Sequence, residues 1–159
     1  MIALALWLLI LALSIAFGAG LYEHRIVLPQ WFSRKPNGRI WNAQAAREAD
    51  VGRKFWGFVS TGPLTLLWIL NSVVAWSLEP GAVRSAWITA LAVILAERLL
   101  TFTYFIPVMV RLMKGDLNDL RASNLAHRWA GMNWIRHALN LLALLASLKT
   151  FALFYAAGY

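Results

Sequence analysis

The chain has 159 residues, 60% of them apolar and only 14% charged, with a mean hydropathy of +0.60. A soluble domain carries about 25% charged residues, so this much apolar surface has to face lipid rather than water. The absence of cysteine excludes disulfides, thiolate-bound metals and cysteine nucleophiles, and the net charge of +8 sits beside apolar segments, where it suits anionic lipid headgroups and not nucleic acid.

Four apolar stretches follow one another, at 2–28, 56–76, 84–113 and 132–157. Each reaches the roughly 20 residues that cross a hydrocarbon core, and segments this long without period-2 alternation satisfy their backbone in lipid only as helices. The expected fold is all-α, an integral membrane four-helix bundle of up-down-up-down topology, as a single membrane domain over 1–159. The first stretch, "MIALALWLLILALSIAFGAGLYEHRIVLP", lacks a basic leading region and exceeds the apolar run of a signal peptide, so it is read as a retained helix.

The connection at 29–55 carries Arg34, Lys35, Arg39, Arg47, Arg53 and Lys54, and that at 114–131 carries Lys114, Arg121 and Arg128. The connection at 77–83 has no lysine or arginine. By the positive-inside rule both basic connections are cytoplasmic and both termini lie outside, the expected location being a bacterial inner membrane. Within 29–55, "KPNG" is a turn and "IWNAQAAREADVGRKFW" a short interfacial helix with Trp41 and Trp56 at the headgroups. "TGPL" at 61–64 is expected to kink the second long helix.

Ionisable residues inside such helices cost several kcal/mol unless partnered or wet. Glu23, His24 and Arg25 end the first helix, Glu97 and Arg98 lie midway along the third, and Arg136 and His137 lie near the start of the fourth. Lys149, nearer the outer face, reads as a snorkelling side chain, and His127 as a solvated or capping one. Glu97, Thr101, Tyr104 and Arg111 share one α-helical face, as do Asn133, Arg136, His137 and Asn140. Both stripes fall at the depth of Glu23, so they are expected to face one another around a polar cavity walled by aromatics. Structural ion pairing and interhelical hydrogen bonding are the alternative for these same residues.

Two chemistries fit such a cavity. His24 and His137 could ligate a haem, or a metal together with Glu23 or Glu97, although no Glu-x-x-His repeat of the di-iron kind is present. Alternatively a histidine beside a carboxylate acts as general base toward an acidic phenol or activated carbon, with Arg136 holding the anion and no cofactor required.

"FGAGLYEHRIVLPQW" (17–31), "TYFIPVMVRLM" (103–113) and "HRWAGMNWIRHALNLLALLASLKTF" (127–151) resemble the anthrone oxygenase-like family of small four-helix membrane proteins. The matching positions are Gly18, Gly20 and Pro29 on the first helix; Tyr104, Phe105, Pro107 and Arg111 on the third; and Trp129, Asn133 and Arg136 on the fourth. The resemblance implies the four-helix fold and an oxidation of an anthrone to an anthraquinone by molecular oxygen without metal or flavin. The resemblance does not itself assign catalytic residues; from position and chemistry His137, His24, Arg136, Asn133 and Tyr104 are the expected catalytic set, with Glu23, Glu97, Arg111, Trp129 and Trp134 lining the substrate. The expected partners are membrane lipids and a small aromatic or lipid-like ligand. A non-catalytic protein that binds a small molecule or lipid, or serves a larger complex, is the competing reading.

Overall fold

The computed structural model describes residues 2–36 and 38–158. Helix α1 (Ile2–Trp31) leads into a hairpin of β1 (Phe32–Lys35) and β2 (Gly38–Trp41), then a short α2 (Ala43–Ala49) and the long helices α3 (Gly52–Ser77), α4 (Ala82–Lys114) and α5 (Asp119–Ala156). The four long helices are each apolar enough to cross a membrane, which suggests an integral membrane protein. Large apolar side chains such as Leu4, Leu66, Val73, Leu99 and Leu142 point outward on all four, a surface that lipid accepts and water does not. Helix α1 packs on α3, α3 on α4, α4 on α5 and α5 on α1, the neighbour pattern of an antiparallel bundle. The first turns of α1 meet the last turns of α5, with the Trp7 indole donating to the Tyr155 hydroxyl at 3.4 Å.

Element boundaries differ from hydropathy where capping sets them. Helix α5 starts at Asp119, not near 132, because the Asn118 side chain accepts from the Arg121 N–H at 2.9 Å and Ala122, Ala126 and Trp129 bury one face of its polar first turns. Asn42 caps α2 in the same way through the Ala45 N–H at 3.0 Å, and Asp50, at φ +45°, ends it.

The first basic connection also holds a hairpin that helical reasoning does not anticipate, a small exception to an all-α fold. "KPNG" is its turn, with Gly38 at φ +117° and Asn37 outside the described residues; Phe32 pairs with Trp41 and Lys35 with Gly38. Trp41 sits inside the protein and not at the headgroups. Its N–H donates to Ser123 Oγ at 3.0 Å and its indole to the Leu112 carbonyl at 3.1 Å, tying the hairpin to α4 and α5.

Three long helices each contain a stretch of π-helix, at Glu23–Val27 in α1, Gly52–Thr61 in α3 and Thr101–Phe105 in α4. Each ends two residues before a proline: Pro29, Pro63 and Pro107. A proline has no N–H, and its ring crowds the carbonyl four residues earlier. That carbonyl belongs to Arg25, Val59 or Thr103, inside the wide turn in every case. The sequence therefore expresses its prolines as wide turns, which the α-helical reading of "TGPL" describes only as a kink.

Two apolar cores result. Leu6, Leu9, Leu13, Leu64, Trp87 and Ile94 fill the end that holds Trp7 and Tyr155, and Leu28, Trp31, Trp41, Phe105, Leu112 and Trp129 fill the basic end. Between them lies a layer of buried polar side chains from α1, α3, α4 and α5, among them Glu23, Ser60, Glu97, Arg98, His137 and Asn140.

Candidate functional site

The polar layer borders a cavity of about 620 Å³. Glu23 enters it from α1, Trp56, Ser60 and Thr61 from α3, Glu97, Arg98, Thr101 and Phe105 from α4, and Trp129, Arg136, His137 and Asn140 from α5. Its outer reaches are lined by exposed residues on two helices, Gly52, Arg53 and Gly57 on α3 and Ile106, Val110 and Lys114 on α4. The basic-end halves of α3 and α4 thus leave a slot between them. Met109, Met113 and Val51 make its walls apolar, and Arg47, Arg53 and Lys114 gather at its basic end.

Glycine and arginine hold that rim together. The Arg47 guanidinium donates to the Met113 carbonyl at 2.6 Å and the Lys114 carbonyl at 3.4 Å, satisfying acceptors that the end of α4 leaves open. Gly115 follows at φ +74°, and a Cβ there would lie 3.2 Å from the same guanidinium, so both backbone and space call for glycine. Arg53 pairs with Asp50 at 2.8 Å, and its hydrogen bond holds the Asp50 carboxyl below the usual carboxylate range.

Inside, the charges are paired unequally. Glu23 accepts from the Trp56 indole at 2.8 Å and faces Arg136 at 3.6 Å. The Arg136 guanidinium also lies over the rings of Phe105, at 4.7 Å, and Trp56, at 5.4 Å. Glu97 binds Arg98 through Nε at 2.6 Å and Nη2 at 2.5 Å, while its other oxygen accepts from the Thr101 hydroxyl at 2.9 Å. These two carboxylates and two guanidiniums sum to zero charge, as a low-dielectric layer requires.

His137 is different. It is 3% exposed, and neither ring nitrogen has a hydrogen-bond partner among the described residues. Its ring is pressed against the backbone of α1 at Gly20, where a Cβ would stand 2.7 Å from Cε1 and 2.9 Å from Nδ1. A neutral imidazole so held keeps one acceptor and one donor unused beside the cavity.

The sequence-derived set divides accordingly. His137, Arg136, Glu23, Glu97 and Trp129 line the cavity, whereas His24, Asn133, Tyr104, Arg111 and Trp134 do not. His24 and Trp134 pack on each other beside the bundle, ring centroids 4.7 Å apart, with Trp134 57% exposed. Asn133 is buried but turns its amide back to the Trp129 carbonyl at 3.1 Å. Tyr104 and Arg111 leave the expected face because the wide turn at Thr101–Phe105 shifts the phase of α4 by about one residue. Beyond it the wall is Phe105, Met109 and Met113, where regular α spacing from Glu97 points to Tyr104 and Arg111. His127 is exposed and stacks on Phe32 at 4.9 Å.

Arg98, Trp56 and the rim of Arg47, Arg53 and Lys114 are among the cavity residues that reasoning from stripes did not select. The three prolines inside the long helices were the available signal, since each displaces the stripe that follows it.

His24 and His137 contact each other edge to face, centroids 5.7 Å apart at 90°. Among the described residues no three histidine, aspartate or glutamate side chains converge in a metal-binding group.

Compared with models of protein families, with curated proteins and with solved structures, the chain matches none.

Proposed function

We propose that the protein is a bacterial inner-membrane oxygenase that oxidises a small, flat, weakly acidic aromatic molecule in the cavity, with both termini outside. The observation that carries this reading is the placement of His137, a buried imidazole with two unpartnered nitrogens beside a largely apolar space of about 620 Å³. Such a space has the volume of a small-molecule site, and few convergent polar groups are what orients an aromatic ligand.

Chemically, His137 removes a proton from an acidic C–H or O–H of the bound aromatic, and a neighbouring guanidinium compensates the negative charge that develops. Arg136 lies on the same helix turn, with its own charge offset by Glu23. The electron-rich anion then reacts with molecular oxygen. At an anthrone methylene both C–H bonds are lost, one oxygen atom forms the new carbonyl and the other leaves as water. The slot between α3 and α4 gives such a molecule a route from the bilayer, where an apolar aromatic concentrates.

The test is oxygen uptake and anthraquinone formation from anthrone by protein in lipid nanodiscs, corrected for spontaneous oxidation. We expect one oxygen consumed per quinone formed, and a loss of about a hundredfold or more for His137→Ala. Unchanged turnover in that variant removes His137 as the base. Retention of anthrone without conversion instead identifies a binding protein.

A further inference from the structure

Resting on the cavity reading above, we infer that Arg98, held in place by Glu97, is the anchor for a ligand oxygen, and that the site selects a neutral, weakly acidic hydroxyl compound over a permanent anion. Arg98 is 6% exposed and lines the cavity. Glu97 engages its Nε and Nη2 side by side and is itself steadied by Thr101, which leaves Nη1 buried with no partner among the described residues. A fork held on one edge presents its remaining donor in a fixed direction.

Arg136 is less suited to this task. It is drawn toward Glu23 and covered by the rings of Phe105 and Trp56.

The charge balance sets the ligand class. Glu23, Glu97, Arg98 and Arg136 already cancel, so a sulfonate would leave one uncompensated negative charge in the layer between two apolar cores. A phenol or enol enters neutral. When its O–H breaks, the proton forms an N–H bond on His137 and the oxygen keeps the electron pair facing Arg98 Nη1, so the layer remains neutral overall.

The experiment compares naphthalene, 2-naphthol and naphthalene-2-sulfonate as probes of the full-length protein in nanodiscs, reading affinity and the red shift that accompanies naphthol ionisation. Wild type should bind 2-naphthol more tightly than naphthalene, exclude the sulfonate and shift the naphthol band. Arg98→Met should lower 2-naphthol affinity about tenfold to a hundredfold and abolish the shift while leaving naphthalene unaffected, as loss of a hydrogen bond to a charged group requires. Because that variant strands Glu97, the paired Glu97→Gln/Arg98→Met protein should behave alike, and Arg98→Lys should recover part of the affinity.

Equal 2-naphthol affinity and shift in wild type and both methionine variants overturns the anchor. If His137→Ala alone then removes the shift, the oxygenase reading survives and only the role of Arg98 falls. Preference for the sulfonate overturns the ligand class, and failure of wild type to bind any of the three probes overturns both readings.

Discussion

The imidazole of His137 rests directly on the backbone of Gly20, so close that a single added methyl carbon would stand 2.7 Å from its ring. This contact between α5 and α1 fixes the position of the His137 imidazole, whose nitrogens have no partner among the described residues, at the cavity. Gly20→Ala should therefore push the ring aside or part the helices, costing about 1–3 kcal/mol of stability. Thermal unfolding in detergent reports that cost, and anthrone turnover should fall with it. Gly18, which has nothing within 4 Å of an added Cβ, is the control, and Gly18→Ala should leave both unchanged.

Glu23 and Arg136 form a buried pair with one other strong contact, the Trp56 indole on Glu23. Glu23→Gln leaves the guanidinium without its nearest counter-charge and should destabilise the fold by about 3 kcal/mol. Glu23→Gln/Arg136→Met removes both charges and should recover much of that loss. Additive unfolding free energies in the double-mutant cycle would show that the two side chains do not interact.

Pro107 underlies the wide turn that brings Phe105 and Met109 to the cavity in place of Tyr104 and Arg111. Pro107→Ala restores an N–H to the helix and permits regular α geometry. Probe binding should weaken at least about tenfold without loss of thermal stability, since what changes is the phase of α4 and not its hydrogen bonding. Unaltered binding of 2-naphthol would separate the proline from the shape of the site.

Gly57 lies exposed on α3 at the slot, and only the Gly52 carbonyl, at 3.5 Å, approaches an added Cβ. Gly57→Trp should fold normally and slow the uptake of a membrane-dissolved probe by at least about tenfold, leaving the interior residues untouched. Stopped-flow mixing of nanodiscs with naphthalene measures this. An uptake rate equal to that of wild type would place the entrance elsewhere.

The charge asymmetry predicts sidedness. Single cysteines introduced at Ser33 or Asn124 should resist a membrane-impermeant thiol reagent in intact cells, whereas one at Gly81 should react. Reaction in the opposite pattern would invert the topology.

Much of the architecture follows from the order of residues along the chain. Four long apolar runs, each too polar-free for water and too long for a strand, are enough to require four helices, and the short connection at 77–83 makes the helices on either side of it run antiparallel. That Glu23, Glu97, Arg136 and His137 would gather around one cavity was also legible, because ionisable side chains in such helices have to find one another. Helix starts at Asp119 and Ala43 were less so, since side-chain caps rather than hydropathy place them. The hairpin depends on Trp41 reaching Leu112 and Ser123, more than 70 residues away, which local patterning does not register.

Selection among the polar residues came from three-dimensional packing. A periodicity of 3.6 carries a stripe forward only while the helix stays regular, and each proline inside the long helices accompanies a wide turn that resets the phase. Tyr104 and Arg111 consequently leave the cavity face that Phe105 and Met109 occupy. Likewise, the spacing of charges shows that Glu97 and Arg98 need partners. The structure closes them on each other within α4, with Thr101 one turn further on holding the second carboxylate oxygen, and not through a partner across the bundle.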